Sequence, residues 1–259
     1  MATRRRFLAG LGLSALGAAL GVAPLPANGQ EQGTAGVARL HIPGLQDPRS
    51  EALADLLEAV QQNSSLRARL ASRDVDPASQ RLFETPFVVL TGDRAFEPLS
   101  ELAVANLRLY LREGGFLFVD DASGRPDSAF DRCVRRDLAR ILPGSKIVSI
   151  GRDHAVYRSF FLLGGVAGRM VVRPYLEGVW QGDITPVLYS SNDLLGALWR
   201  SSGGGYALEV IPGGARQRSQ ALRLAINVVV FALTGNYKRD AVHVRALLKR
   251  MRRQGGYAR

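Results

Sequence analysis

The stretch GGFLFVDDASG, residues 114–124, decides the fold. Phe116–Val119 form an unbroken apolar run, which is what a strand covered on both faces requires. The run stops at Asp120 and Asp121, and Ala122, Ser123 and Gly124 then supply loop-forming residues. Before it, PLSELAVANLRLYLREGG (98–115) has helical spacing. Ser100 is placed to cap that helix, Arg112 lies in its last turn, and Gly114 suits a left-handed stop. After it, SAFDRCVRRDLARILPG (128–144) predicts a second helix, with Phe130, Val134, Leu138 and Ile141 on one stripe and arginines opposite. Ser128 and Asp131 have the spacing of a capping box in which Asp stands for Glu.

The same rhythm extends outward. PFVVLTG (86–92) is another buried-strand run, KIVSI (146–150) a further strand, and VARLHI (37–42) a short strand ending at Pro43-Gly44. RSEALADLLEAVQQNSSLRARL (49–70) predicts an amphipathic helix broken near Asn63, and RDV (73–75) a short second strand. Strands alternating with helices of this length predict an α/β fold with a mostly parallel, doubly wound sheet. Ligands of such sheets sit outside the carboxyl ends of the strands. Beyond Gly151 the pattern changes: MVVRP, LEGVW and TPVLYSS are short β-like pieces, consistent with hairpins or an extension of the sheet. GGARQRSQALRLAINVVVFALTG (213–235) is then a long helix, apolar from Leu222 to Leu233 and ended by Gly235 and Asn236.

Composition excludes several classes. The 259 residues are 46% hydrophobic and 22% charged, an ordinary globular balance. A single cysteine, Cys133, rules out an internal disulfide and a Cys-based zinc site. Three histidines make a multi-histidine metal centre unattractive, and the sequence calls for neither a dedicated metal site nor a cofactor. The net charge of +11 sits at the two ends. Three arginines fall in the first six residues, and eight basic residues against one acid lie beyond residue 235, which leaves the body nearly neutral. Nucleic acid is therefore not the expected partner.

Residues 1–29 predict a twin-arginine signal peptide. Arg4 and Arg5 precede Phe7 and Leu8, a glycine-interrupted apolar run follows, and PLPANGQ offers a cleavage region after Ala27 or Gly29. At about 17 residues the run is at the short limit for a spanning helix, so export and cleavage are expected, with membrane anchorage if the segment stays. The expected location is the periplasm or outside the cell, and the expected export partner the twin-arginine translocase. Residues 236–259 form a basic tail in which Val244, Leu247, Leu248 and Met251 share one face of a short helix. It is expected to dock on the body, or to lie on an anionic membrane surface or in a partner's groove.

The ordered set LTG, YLREGGFLFVDD, DHAVYRSF and SNDL, spread over residues 37–250, resembles the bacterial family known as domain of unknown function 4159. That resemblance implies a flavodoxin-like three-layer sandwich like that of class I glutamine amidotransferases, filling residues 30–235. It also implies an envelope protein partner linked to MoxR-type ATPase systems, beside which such proteins are commonly encoded. Two positions depart from the family: HIPGLQD replaces a Gly-rich turn after the first strand, and TGD at Thr91–Asp93 replaces TGH.

An amidotransferase carries a nucleophilic cysteine, activated by histidine, on the strand-to-helix turn. Here that turn offers Asp121, Ala122 and Ser123, and Cys133 reads as core. Neighbouring strand residues face opposite ways, so Asp120 and Asp121 do not share a pocket while the strand continues. The favoured expectation is that one aspartate closes the following loop and the other faces the crevice. A non-catalytic binding or assembly module of the cell envelope follows. The alternative is an envelope hydrolase using Asp120 or Asp121 with His154, metal-assisted or not. The binding rim is expected to hold Thr91, Asp93, Asp120, Asp121, His154, Asn192 and Asp193.

Overall fold

The computed structural model describes residues 35–66, 68–70 and 74–235. The expected signal peptide (1–29) and the basic tail (236–259) lie outside the described residues. Seven strands form one sheet, β1 (Ala35–Arg39), β2 (Ala68–Leu70), β3 (Phe87–Gly92), β4 (Phe116–Asp121), β5 (Ile147–Ser149), β6 (Glu177–Gln181) and β7 (Ile184–Ser190). Their spatial order is β2-β1-β3-β4-β7-β6-β5. The pairings from β2 through β7 are parallel, and β6 and β5 extend the sheet antiparallel. The expected α/β class with a mostly parallel sheet is what forms.

The two faces are read off the strand alternation. Phe87, Val89, Phe116 and Phe118 enter one apolar cluster with α1 (Ala52–Asn63) and α4 (Gly214–Gly235). Val88, Leu90, Leu117 and Val119 enter a second with α2 (Glu101–Arg112) and α3 (Ala129–Ile141). Burial on both faces is why these strands need no polar residue until Asp120. The caps form as expected. The Ser100 and Ser128 hydroxyls accept from Ala103 N and Asp131 N at 3.2 and 2.9 Å, and Gly114 has φ 98°. The capping box is one-sided, because the Asp131 carboxylate takes Arg135 Nε at 2.9 Å instead of turning back.

The helix break expected near Asn63 forms, and two expectations beyond it are corrected. α1 ends at Asn63 because Ser64 spends its hydroxyl on Val60 O at 2.7 Å and accepts from Leu66 N, local bonds that compete with the helix. The chain is then free to form β2, so the second strand is Ala68–Leu70, and RDV supplies only an isolated bridge from Val75 to Leu40. MVVRP forms no strand, while LEGVW and TPVLYSS become the β6–β7 hairpin around Gly182, φ 60°. A tight turn joins only antiparallel neighbours, which is why the sheet changes sense there. α4 runs against the parallel strands. Its first turns hold Gly168 O through Gln217 Nε2 at 2.8 Å, near the carboxyl ends, and Phe231 packs 5.7 Å from Phe116, where β4 begins. No helix among the described residues is long and apolar enough to cross a membrane.

Candidate functional site

β3, β4 and β7 end level with one another, so Thr91, Asp120 and Ser190 are register partners. Asp120 continues the alternation onto the α1/α4 face and is fully buried. Its Oδ1 and Oδ2 accept from Leu194 N and Leu195 N, each at 2.8 Å, at the start of the short helix Leu195–Ala197. Burial, with the Asp193 charge added, pushes this carboxyl up to about 7 against the opposing pull of those N–H bonds. Asp121 turns to the other face. It accepts from Ser123 N at 2.9 Å, from the Ser128 hydroxyl at 2.6 Å and from the Tyr189 hydroxyl at 3.4 Å. The loop-closing role expected of one aspartate belongs to Asp121. Asp120, expected at the crevice, is sealed inside.

Asp193 supplies the centre of the cluster. It is 0% exposed, has φ 51°, and takes Arg49 in a two-bond grip, Nε–Oδ1 3.1 Å and Nη2–Oδ2 2.9 Å. Arg169 Nε bonds the same Oδ2, and Gly196 N reaches Oδ1 at 3.1 Å. The neighbouring charges of Asp193, Asp120 and Asp93 hold the Arg49 guanidinium above its ordinary value, although burial works the other way. Asn192 pins the segment above: its Oδ1 accepts from Val172 N and Arg173 N at 2.8 and 2.9 Å, and its Nδ2 donates to Arg173 O. Gly168 lies so close beneath that any Cβ there would strike Asn192 O. Asp93 is part-exposed and pairs with Arg94 at 2.9 Å.

A family model described as Domain of unknown function (DUF4159) matches residues 37–233, and the whole cluster falls within that span. The chain belongs to this family. No curated protein matches it.

Within the DUF4159 domain, Thr91, Asp93, Asp120, Asn192 and Asp193 are drawn together at one end of the sheet, with Asp121 behind them. His154 is not. Its Nε2 lies 3.0 Å from Thr185 Oγ1, and Nδ1 accepts from Val156 N at 3.1 Å. That arrangement assigns the ring proton to Nε2. The ring packs on Trp180 and Phe231, at 5.2 and 5.1 Å, and burial lowers its proton affinity. Thr185 lies five residues before Ser190 on β7, about 16 Å back along the strand at ~3.3 Å per residue. His154 therefore caps the short helix Ala155–Arg158 at the opposite end from Asp120, and no carboxylate–imidazole dyad forms.

Cys133 is buried on α3 among the residues packed with Phe130 and Val134, as core. Among the described residues, no group of His, Cys, Asp or Glu is placed to hold a metal ion. Arg49 and Arg169 are the members that sequence reasoning missed. Arg169 carried a partial signal, as a lone charge inside the apolar stretch GGVAGRMVV, and Arg49 carried none. A buried carboxylate with both oxygens engaged by guanidinium and backbone N–H groups is arranged to fix the loops that supply those groups.

Proposed function

We propose that this protein is an exported, non-catalytic binding or assembly module of the cell envelope, with a flavodoxin-like fold of the class I glutamine amidotransferase type. The observation that carries the reading is the turn after β4. Where such an enzyme would present a thiol, Asp121 closes on Ser123 N and the Ser128 cap, and the sole cysteine is core. The five parallel strands, in the order β2-β1-β3-β4-β7, support the flavodoxin-like topology, whose switch point lies between β1 and β3. The Arg49–Asp193–Arg169 cluster supports a scaffold role, since it fixes the surrounding loops as a rigid surface.

In this reading residues 1–29 direct export through the twin-arginine translocase to the periplasm. The surface offered by the domain then meets an envelope protein linked to MoxR-type ATPase systems, and the tail 236–259 adds contact with an anionic membrane. Two experiments test it. Purified protein should leave glutamine, peptide and glycan substrates intact; hydrolysis that Asp121→Ala abolishes would overturn the non-catalytic reading. A reporter fused behind residues 1–29 should reach the periplasm and stay in the cytoplasm with Arg4→Lys and Arg5→Lys together; a reporter indifferent to that change would remove the export step.

A further inference from the structure

Residues Ser159–Val172 read SFFLLGGVAGRMVV, as apolar as any strand of the protein, yet they form none. The chain leaves the helix Ala155–Arg158 and turns outward at Phe160–Leu162. Leu162 is 90% exposed and Phe160 45%. A single exposed leucine is ordinary. This tip differs because the core holds it out. Asn227, fully buried in α4, accepts from Phe160 N at 3.3 Å and Phe161 N at 2.7 Å, and donates to Val156 O and Phe161 O at 2.8 Å each. Leu163 N returns to Tyr157 O at 2.8 Å. Phe161 folds back on the core and stacks edge-on against Phe160, 4.8 Å between ring centres. A buried amide spends all its bonds on fixing the backbone that carries the exposed tip.

The charges around the tip have one sign in excess. Arg158 is exposed two residues before Phe160, Arg152 is exposed six residues before that, and the Arg223 guanidinium lies 5.6 Å over the Phe161 ring. None of the three is ion-paired to a described carboxylate, and the acid in the same stretch is the exposed Asp153. We propose that this tip docks the protein on an anionic phospholipid bilayer. Phe160 and Leu162 enter the interface, and Arg152, Arg158 and Arg223 meet the headgroup phosphates. Preorganisation removes the ordering cost that a mobile loop would bring to the surface. Two protruding side chains offer on the order of 250 Å² of apolar surface, far short of the ~1,000 Å² a specific protein interface needs. An anionic bilayer asks only for an apolar wedge with cations around it. The test of this surface does not depend on export.

The test is co-sedimentation of the full chain with vesicles of equal parts phosphatidylglycerol and phosphatidylcholine, and with pure phosphatidylcholine. The full chain should sediment with the mixed vesicles. Phe160→Ser with Leu162→Ser should reduce that partitioning about tenfold with an unchanged melting temperature. Arg152→Gln, Arg158→Gln and Arg223→Gln together should reduce the preference for phosphatidylglycerol, most visibly in a chain that ends at Asn236. Leu162→Trp should report a blue-shifted emission on the mixed vesicles. Absence of vesicle binding, binding indifferent to Phe160→Ser/Leu162→Ser, or an unshifted Leu162→Trp emission would each overturn the proposal. So would a dimer in solution that Leu162→Asp dissociates, because the tip would then serve a second copy.

Discussion

Arg49 and Asp193 lie 144 positions apart and meet as a two-bond pair, 3.1 and 2.9 Å, with the carboxylate wholly shut off from solvent. Arg49 stands at the entrance to α1, its guanidinium 5.6 Å over the Trp199 ring, with Nη2 reaching Ala122 O after β4 at 3.5 Å. Arg169 brings in the segment that follows the exposed tip. One aspartate thus ties together the loops after β1, β4 and β7 at the end of the sheet where α/β proteins place their ligands. That end of the sheet is here occupied by a latch.

Arg49→Met should therefore destabilise the protein without altering its fold. It leaves Asp193 with Arg169 but removes two charge-assisted bonds from a buried carboxylate, a loss of about 2–3 kcal/mol. Urea denaturation checks the value. The double variant Arg49→Met/Asp193→Asn should cost less than the two single changes added together, because each single change already removes the bonds the two residues share.

Asp120 gives the protein a pH signature. Its ordinary value of 3.8 is raised to about 7 in the fold by burial and by Asp193. Between about pH 4 and pH 7 the folded state keeps a proton that the unfolded chain has released, so this group lowers stability as pH rises through that window and adds nothing further above it. Asp120→Asn should remove that part of the slope. The readout is the slope of unfolding free energy from pH 4 to 7, since Asn also loses one N–H acceptor and lowers stability at every pH. An unchanged slope would assign the pH dependence to other groups.

The body of the fold was legible where the physics is local. Phe87–Leu90 and Phe116–Val119 read as buried strands from composition alone, and Ser100, Ser128 and Gly114 marked helix ends correctly. What misled was non-local. β2 lies inside a stretch with helical spacing, and its strand identity comes from pairing with β1. β5 joins the sheet antiparallel because the β6–β7 hairpin fixes the sense of that edge. At the site, the aspartates were visible in sequence while their pairing with Arg49 and Arg169 was not, because contacts across 144 and 24 positions leave no periodic trace. His154 follows a strand-like run, and only the register of β7 shows that it lies at the other end.

Asn227→Leu should free the apolar tip. The substitution conserves volume but leaves Phe160 N, Phe161 N, Val156 O and Phe161 O without the amide they share, costing about 2–4 kcal/mol. Hydrogen exchange at the Phe160 and Phe161 amides should accelerate well beyond what global destabilisation explains. Equal acceleration across β3 and β4 would show that Asn227 serves the core as a whole.

Deleting the residues after Asn236 should weaken binding to phosphatidylglycerol vesicles in a manner distinct from the tip. The deleted segment carries eight basic residues against one acid, and each cation near an anionic surface contributes on the order of 1 kcal/mol. Such attraction is screened within about 8 Å at physiological salt, so the tail's share should fall steeply as salt rises. Insertion of Phe160 and Leu162 is apolar and should hardly respond. Titrating salt from low to high in the intact chain, the truncated chain and the Phe160→Ser/Leu162→Ser variant separates the two. The intact and tip-variant curves should be steep and the truncated curve shallow. A truncated chain that keeps the full salt dependence would mean that the tail does not meet the membrane at all.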